Sequence, residues 1–259
     1  MVGDAGPTEV VGIGLLHVDA TVLESQIEAL VTDDPPELVE IDGGGAPMSG
    51  VNNPLIKFTT ELVDFARGER RGIRNPFVMV PVDPPIEKRV TEILERWTVG
   101  EEGHRLADWK GVTSGSGDPI TVTGVRLDEL LPETTAFQTC RDLGPLPNVS
   151  TRSVEETLEG NLATELIDLL INTYIHEGGI ENDQSSVLVL LNLGSLYPFT
   201  RASELLDELD RRNVTTTVGI PFPGSVIGGR LSFYNEDARH YYPAHRINQQ
   251  IEEGYLTDV

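Results

Sequence analysis

Along most of its length the chain alternates short β-like apolar runs with segments of helical periodicity. That order constrains the fold more than any other feature, because strand and helix in regular succession build α/β layers around a largely parallel central sheet. The clearest runs are Val10–Val18, Leu38–Ile41, Pro76–Val82, Ile120–Val125, Ser185–Leu193 and Val214–Ile220. Helical stripes lie between them. Leu23, Ile27 and Leu30 share one face, as do Leu55, Phe58, Leu62 and Phe65 after Pro54, and Ile86, Val90, Ile93, Leu94 and Trp97 after Pro84-Pro85. A long helix is expected from Ser153 to about Ile175, with Glu156 completing a capping box. A clear amphipathic helix is expected over Ser203–Leu209, and Arg230–Tyr234 reads as a short edge strand. Leu127–Leu131 is expected to turn into Pro132. The charged, glycine-flanked segment Gly68–Asn75 suggests a boundary, dividing the chain into an N-terminal extension, 1–72, and an α/β region, 73–259.

Charge narrows the setting. Asp and Glu number 42 against 19 Lys and Arg, a formal net charge of −23, and only three basic residues are lysines, Lys57, Lys88 and Lys110. Such a charge destabilises a compact state by self-repulsion in dilute buffer. At about 1 M salt the Debye length falls to about 3 Å and most of the repulsion is screened. The composition therefore reads as a soluble, cytoplasmic, halophilic protein whose acid is a solvated surface. Direct DNA binding is disfavoured, since phosphate neutralisation needs a basic patch and the clusters Arg67–Arg74 and Arg211-Arg212 are small. No secretory signal or membrane span is expected. A single cysteine, Cys140, rules out an internal disulfide framework and reads as a buried or semi-buried small residue.

The usual chemical motifs fail on inspection. Gly12-Ile13-Gly14 follows a strand, but His17 stands where a dinucleotide fingerprint needs its third glycine, and there is no Gly-Lys-Ser/Thr. No cofactor is expected. His176-Glu177 lacks the second histidine of a zinc protease helix and reads as a helix C-terminus, with Gly178 able to take a left-handed cap. Ser195 lies between a strand and a helix, yet Asn192-Leu-Gly-Ser-Leu is not a nucleophile elbow. His17, Asp19 and Asp42 lie at strand ends, where open α/β sheets place ligands. They are the candidate ligands of a rival reading, a metal-dependent α/β hydrolase. The competing assignment makes Asp19 a helix cap and Asp42 part of a turn.

The run from Val187 to Leu209 is distinctive: a hydrophobic strand, Gly194, Tyr197-Pro198-Phe199, Arg201, then a helix with Leu-Leu spacing. Phe222-Pro223-Gly224, Leu231-Ser-Phe233 and Tyr241-Tyr242-Pro-Ala244 follow in order. This series resembles BrxB, the small B component of BREX (bacteriophage exclusion) phage-defence systems. Asn75–Pro84 is similar to that family's opening strand and Pro-rich helix start, while Pro243 stands where the family pattern has an Arg. The resemblance implies a non-catalytic accessory subunit that assembles with other BREX proteins, above all the phosphatase-like PglZ component. It implies structural turns at Gly194, Pro198, Pro223 and Gly224. Docking would fall to Tyr197, Phe199, Arg201, Tyr241 and Tyr242, aromatic and Arg side chains being favoured interface anchors. Because a cation is unfavourable at a helix start, Arg201 is expected to pair with a carboxylate, internal or on a partner.

Overall fold

Three strands are aliphatic on both faces, and only a sheet covered by helices on both sides can bury them. A computed structural model describes residues 53–70, 75–99, 120–143, 150–227, 230–234 and 244–257. All of them belong to one compact unit, Ala46–Val259. The expected elements before residue 53 lie outside the described residues.

The sheet is formed by β1 (Phe77–Val82), β2 (Thr121–Arg126), β3 (Ser186–Leu191), β4 (Thr217–Ile227), β5 (Arg230–Phe233) and β6 (His245–Arg246). Its order is β2-β3-β4-β1-β6, and every pair along this path is parallel. β5 returns antiparallel on the far end of β4. The expected α/β layering with a largely parallel sheet is what the chain adopts.

Alternation along the strands sorts the core into two halves. On one face Val78, Val80, Val82, Val187, Val189 and Leu191 meet α1 (Pro54–Ala66) and α2 (Glu87–Val99) through Leu55, Phe58, Leu62, Val90, Leu94 and Trp97. On the other, Phe77, Met79, Leu188, Leu190, Val218, Ile220 and Phe222 are covered by three further helices: the short α3 (Leu127–Leu130), α5 (Thr151–Leu170) and α6 (Ala202–Arg211). Between α3 and α5, α4 (Thr135–Leu143) buries Ala136 and Cys140 against Leu158. Asn53 caps α1: its Oδ1 accepts the Leu55 N–H at 2.9 Å, and its Nδ2 donates to the Tyr255 carbonyl at 2.8 Å.

Four local expectations are corrected. Phe222-Pro223-Gly224 is not a turn, since β4 runs unbroken to Ile227. Residues of one parity point to one neighbour. The Val218 N–H bonds the Pro76 carbonyl on the β1 side, whereas the Pro223 carbonyl accepts from Tyr234 on the opposite side. Pro221 and Pro223 therefore aim their donorless nitrogens away from β1, along a stretch where pairing with β3 has ended at Gly219. Proline interrupts a strand only where its N–H is needed, and here it is not. Second, α5 starts at Thr151, so Ser153 lies inside the helix and not at its N-cap, and Glu156 accepts from Arg152 at 2.8 Å. Third, α5 widens into a π-helix, Ile171–Glu177. Gly179 (φ +72°), not Gly178 (φ −78°), takes the left-handed position after it. Fourth, Leu127–Leu131 leads on through Pro132 into α4.

Candidate functional site

Ligands of open parallel sheets bind where chains leave the carboxyl ends of adjacent strands toward opposite faces. Here β1 exits to α2 on one face and β3 exits to α6 on the other, with β4 between them. The chain beyond β3 makes a tight 3₁₀ turn, Leu193–Leu196, entered through Asn192 in the left-handed region (φ 58°) and followed by a cis Tyr197–Pro198 bond.

Glu87, in the first turn of α2, bridges this crevice. Its carboxylate is buried; Oε1 accepts the Gly194 N–H at 2.7 Å and Oε2 accepts the Tyr234 hydroxyl at 3.2 Å. Burial raises the Glu87 pKa above the ordinary carboxylate value, although both hydrogen bonds work the other way. Burial, then the adjoining Glu87 charge, pushes the Tyr234 phenol up to about 12. Tyr234 also sits at φ 46°, a costly region for a bulky residue. Its ring packs on Tyr197 (centroids 5.0 Å apart) and Phe233 (5.1 Å), and Phe233 continues the cluster to Phe222 (5.2 Å).

Gly194 is required by close approach rather than by backbone angle. A Cβ there would collide with the Tyr234 hydroxyl and the Glu87 carboxylate. Gly224 is similarly confined, by the Ser232 backbone and the Phe222 ring. Of the residues expected to form turns, Gly194 and Pro198 do lie in the corner after β3, while Pro223 and Gly224 are strand residues.

Around this bridge the expected docking residues divide. Tyr197 and Phe199 are half-buried against the core, so each offers only part of its ring to solvent. Arg201 stands at the N-cap of α6. Its backbone N–H donates to Glu204 at 2.9 Å, while among the described residues no carboxylate forms an ion pair with its guanidinium. Tyr241, Tyr242, His17, Asp19 and Asp42 lie outside the described residues.

Beside the bridge, Lys88, Thr91, Glu92, Arg126 and Asn192 line a shallow cavity of about 230 Å³. Arg126 is held within it by Asp128, at 3.2 and 2.7 Å, with Glu95 and Glu129 also near. Burial works against the Asp128 charge, but hydrogen bonds from Arg126 and Asn192 hold its pKa below the ordinary value. Ser195 is exposed and its hydroxyl donates to the Asn192 carbonyl at 2.8 Å, a backbone acceptor and not a base. Burial raises the Cys140 thiol, the opposite of what a nucleophile needs. Among the described residues no three His, Cys, Asp or Glu side chains are grouped to hold a metal ion, and no helix is long and apolar enough to cross a membrane.

Sequence reasoning missed Glu87 and Tyr234. A Glu in a first helical turn reads as an ordinary dipole partner. The available signal was its position, five residues past Val82, the last residue of a buried strand that Asp83-Pro84-Pro85 follows.

The family model described as "BREX protein BrxB" matches residues 138–247. No curated protein and no solved structure matches the chain. The matched residues hold β3, the corner, α6, β4, β5 and β6, so over this stretch, less than half of the chain, the sequence is similar to the BrxB family.

Proposed function

We propose that the chain is a non-catalytic accessory subunit that docks onto other BREX proteins, the phosphatase-like PglZ component first, through the corner after β3. The observation that carries this reading is Arg201. In a chain where acids outnumber bases 42 to 19, its guanidinium meets no carboxylate among the described residues, and it sits where the helix dipole disfavours a cation. Arg70, Arg89, Arg126, Arg211 and Arg212 each have one. A carboxylate on a partner resolves that imbalance. Half-buried Tyr197 and Phe199 supply rigid apolar contact beside it, and Tyr241-Tyr242 is expected to extend the surface. The titratable groups at the strand ends are engaged in holding the corner, which supports a scaffold rather than a reaction centre. An Arg-carboxylate pair enclosed by such a rim is screened far less by salt than an exposed pair, so the contact suits a molar-salt cytoplasm.

Tagged chain purified from lysate at native salt should bring down the PglZ-like subunit, and Arg201→Glu should weaken capture at least tenfold with an unchanged circular dichroism spectrum. Recovery of the wild-type chain without that subunit would overturn the reading.

A further inference from the structure

The match to the BrxB model begins at residue 138, yet the residue that holds the corner in place lies well before it. Glu87 belongs to the chain segment that follows β1, and it reaches across the carboxyl end of β4 to the amide of Gly194. Three separate pieces of chain therefore converge on one carboxylate: the start of α2, the exit from β3 and the residue just after β5. Gly194 leaves no room for anything else, because a methyl group there would occupy the space of the Glu87 carboxylate and the Tyr234 hydroxyl. Tyr234 in turn packs on Tyr197, the first aromatic residue of the corner. Without the carboxylate, the half-buried Gly194 N–H and Tyr234 hydroxyl both lose their acceptor. A donor shielded from water and left without an acceptor is a reason for a turn to rearrange.

We infer that Glu87 is the positioning residue of the docking surface. It sets the path from Gly194 through Tyr197 to Arg201, so that the surface is made jointly by the segment before residue 138 and the BrxB-like stretch. The inference rests on the docking reading above and adds to it the residue on which the shape of the surface depends. A residue with only a general stabilising role would alter melting temperature and capture together. A positioning residue alters capture according to whether its side chain can still accept from Gly194. Glu87→Gln keeps an acceptor oxygen of nearly the same shape; Glu87→Leu keeps the bulk and removes the acceptor; Gly194→Ala forces the two groups apart from the other side.

The test is capture of the PglZ-like subunit at native salt by full-length wild type and these three variants. Amide hydrogen exchange of the peptide holding Gly194 and circular dichroism are measured in parallel. Glu87→Gln should capture within about threefold of wild type. Glu87→Leu and Gly194→Ala should each lose at least tenfold, with faster exchange confined to the corner and unchanged helix content. Wild-type capture together with undiminished capture by Glu87→Leu or Gly194→Ala would overturn the inference and leave the docking reading standing. Equal loss in Glu87→Gln and Glu87→Leu would also overturn it, because shape and acceptor would then be irrelevant. Failure of the wild type to capture overturns the docking reading, and the inference with it.

Discussion

At Glu87 burial and hydrogen bonding act in opposite directions on the same carboxylate, and the balance can be read from its pH response. Burial is the larger effect, so the folded state holds the proton more tightly than the unfolded chain does. Stability from this group is then fully present below the unfolded pKa and is lost as pH rises through the raised folded value. Replacing Glu87 with Gln removes the titration and keeps the acceptor. The melting temperature of Glu87→Gln relative to wild type should therefore climb between about pH 4.5 and neutrality, measured at constant molar salt; parallel curves would show that the carboxylate is not strained. Glu87→Ala leaves the Gly194 amide without a partner and should cost about 1–3 kcal/mol in urea unfolding. Little of this was legible beforehand. Gly194 was singled out as a turn residue, but its reason is a collision with side chains 107 and 40 positions away, and spacing within one segment carries no trace of such contacts.

Among the elements, α6 is fastened to α5 by charge as well as by its leucines. Arg212 donates to Asp168 at 2.7 Å and also reaches Glu208, whose buried carboxylate is shared with Arg211 at 2.5 Å. Arg212→Ala removes the better-buried of the two arginines and should cost about 1–3 kcal/mol, whereas the exposed Arg211→Ala should change urea unfolding by less than about 0.5 kcal/mol. On the opposite face α1 lies so close to β4 that a Cβ on Gly219 would press Phe58 and Leu62 at 2.8 Å. Gly219→Ala should therefore destabilise by about 1–3 kcal/mol through overpacking, visible as a lower urea midpoint at an unchanged slope. Elements with strong aliphatic or stripe signals, β1, β3, α1, α2 and α6, were legible from the sequence. The helix Thr135–Leu143 was not, because its buried stripe is Ala136 and Cys140, residues too small to mark a periodicity. The far half of β4 was hidden by its prolines, whose effect depends on which neighbour their nitrogens face.

For the whole molecule, net charge dominates. A chain at −23 pays for compactness in dilute buffer through self-repulsion, and added salt removes most of that cost. Its melting temperature should rise by roughly 10 °C between 0.1 M and 2 M KCl, corresponding to about 3–5 kcal/mol at about 2–4 °C per kcal/mol. The same rise in KCl and NaCl would identify screening; a flat profile would remove the case for a high-salt origin.

The prolines of β4 acquire a different meaning in that setting. At molar ionic strength like charge no longer keeps neighbouring copies apart, and any strand flank with free amide donors invites a foreign strand to pair with it. Between Gly219 and Gly224 the outward flank of β4 has Pro221 and Pro223 in the donor positions. In the native chain that flank is buried and the Pro223 carbonyl already accepts from Tyr234; once heating loosens the packing over it, an incoming chain meets a strand that lacks donors at both proline positions. The protection is built into the covalent backbone and does not weaken with salt: Pro221→Val and Pro223→Val together should leave the fold intact and increase light scattering on heating in 2 M KCl.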